Sequence, residues 1–180
     1  MINNKRDLKE CIEYERRIYK VSLIEEYIPF KFKESQILWN FMKTLRKTEY
    51  YINTDKKILK ILYKLKLNIL RNRYSLNIPT NVVGKGFSIA HLGPITINNE
   101  CKIGENCRIH VGANIGANIN GGTPKLGNNI YIAPGAKIFG DIKIADNICI
   151  GANAVVNKSF NQNGITIARV PAKKIKENSI

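Results

Sequence analysis

Two imidazoles, His91 and His110, are the only ones in this chain of 180 residues. An imidazole titrates near ~6.5 and exchanges protons at neutral pH, so both are candidates for general acid–base work. They stand 19 positions apart. The four cysteines (Cys11, Cys101, Cys107, Cys149) form no C-x-x-C pair and have no histidine at metal-ligand spacing. They read as reduced, small apolar residues, and neither a metal site nor a disulfide framework is expected.

The stretch that must position the histidines runs from Ile97 to Val156. In steps of six it places an aliphatic residue at Ile97, Ile103, Ile109 and Ile115, and again at Leu126, Ile132, Ile138, Ile144, Ile150 and Val156. A helix needs period 3.6 and a half-buried strand period two, so a sixfold beat indicates a hexapeptide solenoid with coils of roughly 18 residues. On such coils a spacing of 19 brings His91 and His110 close together on adjacent turns. Between Ile115 and Leu126 five residues too many intervene, which predicts a loop projecting at about 118–125, containing Gly121, Gly122 and Thr123.

Composition divides the chain. All 13 glycines lie at or after Gly84, whereas Trp39 and seven of the eight tyrosines precede Ile78. We expect a helical domain over 1–77, the solenoid over 78–170 and a C-terminal tail over 171–180. The first helix is expected over residues 5–28, ended by Pro29. A second is expected to be capped by Ser35, with Ile37, Leu38, Phe41, Met42 and Leu45 inward. A third is expected to be capped by Thr54 or Asp55, with Ile58, Leu62, Leu65 and Ile69 on one packed face.

The net charge is +15, with 18 basic and 9 acidic residues in 1–77 and 11 basic and 5 acidic in the rest. That sign attracts polyanions. Tyrosines and lysines from Tyr50 to Tyr74 resemble a nucleic-acid surface only in composition, and no nucleic-acid motif accompanies them, so no nucleic-acid partner is expected. The start of the chain carries no secretory pattern and no segment approaches a membrane span, which gives a cytoplasmic expectation. Peripheral attachment to an acidic membrane surface through the basic helices stays open.

Several motifs coincide in the solenoid: Gly84-Lys85-Gly86 followed by His91, Gly121-Gly122-Thr123, the run Ala133 to Gly140, Gly151-Ala152-Asn153-Ala154, and Val170-Pro171-Ala172. In these the chain resembles the hexapeptide-repeat acyltransferases, and within them the serine acetyltransferase group. Tyr50 to Asn98 and the Ile109-His110-Val111-Gly112 segment look more like the serine-acetyltransferase-like proteins of bacterial capsule, lipopolysaccharide and exopolysaccharide pathways.

The resemblance implies a left-handed parallel β-helix, a homotrimer that could pair into a dimer of trimers, and acetyl-CoA in the groove between subunits. It implies that His91 is the general base; the spacing of 19 sets His110 beside it as a second catalytic candidate, and its absence at that position from the serine enzymes suggests a different acceptor site. For acetyl-CoA it points to Gly122, Ala133, Gly135, Gly151 and Ala152, with Lys158, Lys173 and Lys174 toward the phosphates. Where the serine enzymes hold an aspartate and a second histidine near the acceptor, this chain has Asn77 and Thr123. We therefore expect, first, acetylation of a sugar hydroxyl of a bacterial surface polysaccharide or its precursor. Serine O-acetylation in cysteine biosynthesis comes second, a reading to which the terminal Ile180 adds. A noncatalytic, polyanion-binding trimer comes third.

Overall fold

The computed structural model describes residues 1–27 and 33–178. Among the described residues four helices, α1 (Lys5–Ile18), α2 (Leu23–Tyr27), α3 (Glu34–Asn53) and α4 (Lys57–Tyr74), precede fourteen short strands. The strands form the three walls of a triangular prism. One wall holds β1 (Leu76–Asn77), β3 (Ile95–Ile97), β6 (Asn114–Gly116), β9 (Lys137–Phe139) and β12 (Val155–Val156). The second holds β4 (Lys102–Ile103), β7 (Lys125–Leu126) and β10 (Lys143–Ile144). The third holds β2 (Ser88–Ile89), β5 (Arg108–Ile109), β8 (Tyr131–Ile132), β11 (Cys149–Ile150), β13 (Ile165–Ala168) and β14 (Lys173–Glu177). This is the parallel β-helix that the sixfold beat requires.

All ten aliphatic heads are buried. They stack in register, with Ile97 on Ile115, Ile138 and Val156, and Ile109 on Ile132 and Ile150. Each buried aliphatic contributes about 1.5–3 kcal/mol, and neighbouring coils supply each other's backbone partners, so the column is stable only as a stack. At one corner Asn106, Asn129 and Asn147 take positive φ, which asparagine tolerates because its short side chain bonds locally. Their amides form a ladder, Asn106 to Asn129 at 3.2 Å and Asn129 to Asn147 at 2.9 Å.

The helices cap the open first coil. The centre of this contact is Arg46, whose guanidinium and its partner carboxylates are buried. Arg46 donates to Glu15, to Glu49 (2.9 Å) and to the carbonyl oxygens of Val83 (2.9 Å) and Gly84. Burial alone would lower the Arg46 pKa, but the Glu49 and Glu15 carboxylates outweigh it and hold the guanidinium charged. Glu15 also accepts the Gly86 N–H at 3.0 Å, Glu49 accepts that of Asn81 at 2.8 Å, and the Tyr19 hydroxyl accepts that of Ile89 at 2.7 Å.

Several expectations are corrected. The first helix stops at Ile18, where Lys20 turns at positive φ, and a separate short helix follows; Ile28 and Pro29 lie outside the described residues. α3 begins at Glu34 with Lys33 as its cap in place of Ser35, and Thr54 closes α3 without capping α4. The face of α4 carrying Ile58, Leu62, Leu65 and Ile69 does not pack; Leu67, Leu70 and Tyr74 do. The segment expected as a tail returns as β14, antiparallel to β13, and covers that sheet's open edge. Burial pushes the Cys11 and Cys107 thiols up to about 12, so they are inert core residues.

Replacing Arg46 leaves Glu15 and Glu49 buried without their cation. Arg46→Ala is expected to cost roughly 3–5 kcal/mol in urea unfolding. A loss below ~1 kcal/mol would show that the caps are held by other contacts.

Candidate active site

His91 sits at the corner between β2 and β3. Ile89 pairs with Ile109, a step of 20 residues, so this corner holds two more residues than a regular coil. The surplus bulges at 90–94, where Gly93 takes φ +145 and its missing side chain leaves room for Val111. The bulge brings the ring of His91 to 6.2 Å from that of His110, centroid to centroid, and His110 stands 5.1 Å from Tyr131. The spacing of 19 thus brings the two imidazoles together, although the register slips by two.

The residue that sequence reasoning missed is Glu34. It is the first residue of α3, and its two oxygens are divided between the corner's backbone and its imidazole. Oε1 accepts the Leu92 N–H at 2.7 Å, and Oε2 lies 3.2 Å from His91 Nδ1. The Leu92 amide, and after it His91, lowers the Glu34 pKa. The carboxylate is therefore ionised where imidazoles titrate, and an ionised carboxylate only accepts. Nδ1 must donate, which leaves Nε2 of neutral His91 with a free lone pair, the arrangement a general base needs. Nothing in the sequence advertised this pair, since 57 residues separate its members.

His110 differs. Its Nε2 is covered and makes no hydrogen bond. Burial first, then the charges of Arg108 and His91, lower its pKa, so it stays neutral where an ordinary histidine would begin to charge. It is a neighbour that does not compete for the proton.

A lane of small residues leads away from the histidines. Successive backbone bonds run from His110 N–H to Ile132, Ala133 N–H to Ile150 and Gly151 N–H to Ile167, so His110, Ala133, Gly151 and Ala168 follow one another down the third wall. Lys173 pairs with Ala168 at the far end. Gly135 is next to this lane at φ +75, where a side chain would overlap Asn153. Ala152 is exposed beside Gly151. Lys174 follows Lys173 on the same strand.

The remaining candidates stand elsewhere. Lys158 lies over the Phe160 ring at a different corner. Thr123 is buried, and its hydroxyl donates to the Glu100 carbonyl at 3.1 Å. Gly122, in the projecting loop, approaches the backbone of Asp141. Asn77 is exposed on β1 in a polar row with Thr96 and Asn114. That row lines a shallow cavity of about 540 Å³ shared with Arg71, Asn98 and Asn99. Among the described residues no His/Cys/Asp/Glu cluster suited to a metal occurs.

No protein-family model matches the chain. Over 110 residues it is 34% identical to serine acetyltransferase of Staphylococcus aureus strain Mu50, covering 57% of this chain and 49% of that protein. Over 107 residues it is 36% identical to serine acetyltransferase of Staphylococcus epidermidis strain ATCC 12228, covering 55% and 47%. The chain thus spans about half the length of these relatives. Among solved structures it superposes on serine acetyltransferase of Brucella abortus strain S19 with TM-score 0.76 and 19% identity, over 96% of this chain and 70% of that one. The Neisseria gonorrhoeae serine acetyltransferase in complex with serine gives TM-score 0.73 at 23% identity, over 96% and 70%. The Brucella abortus enzyme in complex with coenzyme A gives 0.68 at 19%, over 96% and 67%. The chain therefore has the fold of the serine acetyltransferases, a hexapeptide-repeat parallel β-helix behind a helical N-terminal region.

Proposed function

We propose that this chain is an acetyl-CoA-dependent O-acetyltransferase with His91 as general base. The observation that carries the reading is the His91–Glu34 pair, which aims a proton-accepting Nε2 outward beside a lane of small residues. An alcohol is a weak nucleophile at neutral pH. As its oxygen bonds to the thioester carbonyl carbon, Nε2 takes its proton; as the C–S bond breaks, the same proton returns to the departing sulfur. Glu34 acts through His91 as a positioning residue: it fixes the tautomer and stabilises the imidazolium that forms.

For the acceptor, L-serine takes precedence over the sugar hydroxyl expected from sequence motifs. The support is the 34–36% identity to proteins named serine acetyltransferase together with the shared fold, including a neighbour solved with serine. The sugar reading retains one observation of its own. Asn77 and Thr123 supply neither the carboxylate nor the imidazole that the resemblance sets against an amino acid, and Asn77 joins a row of amides and hydroxyls suited to polyols.

Release of CoA from acetyl-CoA, with L-serine or with a panel of saccharides, tests both readings. Turnover with serine that falls at least about a hundredfold in His91→Ala supports the proposal. Turnover confined to saccharides moves the acceptor, and turnover unaffected by His91→Ala removes the base. Glu34→Gln keeps an acceptor for Leu92 but loses the anion. It is expected to lower kcat by about tenfold and leave KM for acetyl-CoA nearly unchanged. A loss that falls on KM for acetyl-CoA as much as on kcat would make Glu34 merely structural.

His110 predicts a pH dependence of stability. Its folded pKa lies below the unfolded value of about 6.5, so the unfolded chain binds the proton first as pH falls. Stability is greatest above that value and declines as pH drops through the window down to the folded pKa. Thermal melts of His110→Gln should show a shallower decline there than the wild type.

A further inference from the structure

α4 has two apolar faces where packing uses one. Leu67, Leu70 and Tyr74 join the core. Ile58, Ile61, Leu62, Leu65 and Ile69 point the other way and are 75%, 58%, 55%, 58% and 64% exposed. Their spacing of three and four makes a continuous stripe roughly 17 Å long. Single exposed aliphatics need no explanation, but a contiguous row of five marks a surface that meets something apolar.

The borders of the stripe say what that is. At about 100° per residue, Lys57 and Lys64 flank one edge and Lys66 and Arg73 the other; all four are exposed. No acidic residue occurs between Asp55 and Glu100. A second α4 laid on this one would set lysine against lysine with no carboxylate on either helix. A bilayer of anionic lipid answers both features at once, since its acyl boundary takes the aliphatics while lysine stems reach up to the phosphates.

We propose that α4 is a membrane-surface helix that docks this protein on anionic phospholipid. The proposal does not depend on the acetyltransferase reading, because neither the stripe nor its lysines touch His91, Glu34 or the lane of small residues.

Co-sedimentation of the full chain with phosphatidylcholine vesicles, with and without phosphatidylglycerol, tests it. The wild type should pellet with the anionic vesicles, and less so as salt rises. The exposed double variant Leu62→Glu/Leu65→Glu and the triple variant Lys57→Gln/Lys64→Gln/Lys66→Gln should each weaken binding by about tenfold or more. Both should keep the wild-type circular dichroism and the wild-type mass by light scattering. Failure of the wild type to pellet, or binding that survives both sets of substitutions, would overturn the proposal. So would a change of oligomeric mass in the double variant, which would assign the stripe to a second copy of the chain.

Discussion

The buried guanidinium of Arg46 is the contact on which the rest of the structure depends. A solenoid's first coil has an open edge, and here α3 lies along it, antiparallel to the chain direction of the coil. Asn53 and Glu49 meet Asn81, Arg46 meets Val83 and Gly84, and Glu34 meets His91 and Leu92. At about 1.5 Å per residue these contacts span roughly 28 Å of a single helix. Removing one member of a buried ionic group is costly because its partners stay charged and unsolvated. The Arg46 cluster ties the middle of α3 to Val83 and Gly84 of the first coil, and with α3 so placed its first residue, Glu34, reaches the corner that holds His91.

The chemistry follows from this division of labour. The solenoid supplies a rigid frame, its third wall a lane of small residues, and its irregular corner an exposed imidazole. The helical region supplies the carboxylate that gives the imidazole direction. Where the resemblance sets an aspartate at the start of the solenoid, Asn77 cannot supply a charge, and the carboxylate beside His91 comes from Glu34 at the start of α3. In the proposed reaction the base and its carboxylate thus stand apart from Asn77 and Thr123, both of which are uncharged.

How much of this was legible in the sequence depended on the range of the interaction. The ten aliphatic heads repeat locally, so the β-helix, the five-residue loop and the meeting of His91 with His110 could all be read from spacing. Glu34 could not, because a first-turn glutamate is ordinary helix chemistry and its meaning comes from a fold contact across 57 residues. The exposed side of α4 is ambiguous in sequence for a related reason. A stripe of isoleucine and leucine at helical spacing signals an apolar partner without saying whether the partner is the protein's own core. At the other end, β14 carries no strand signal because its lysine-rich sequence shows no alternation and is placed by the free edge of β13.

The most direct test of the central claim is the tautomeric state of His91, read from the ¹⁵N chemical shifts of its two ring nitrogens above its titration range, in the wild type and in Glu34→Gln. The account predicts that in the wild type Nδ1 carries the proton and Nε2 is unprotonated, and that this preference weakens when the carboxylate is lost. A wild-type ring protonated at Nε2, unchanged by Glu34→Gln, would contradict it and leave His91 without the lone pair on which the proposed reaction relies.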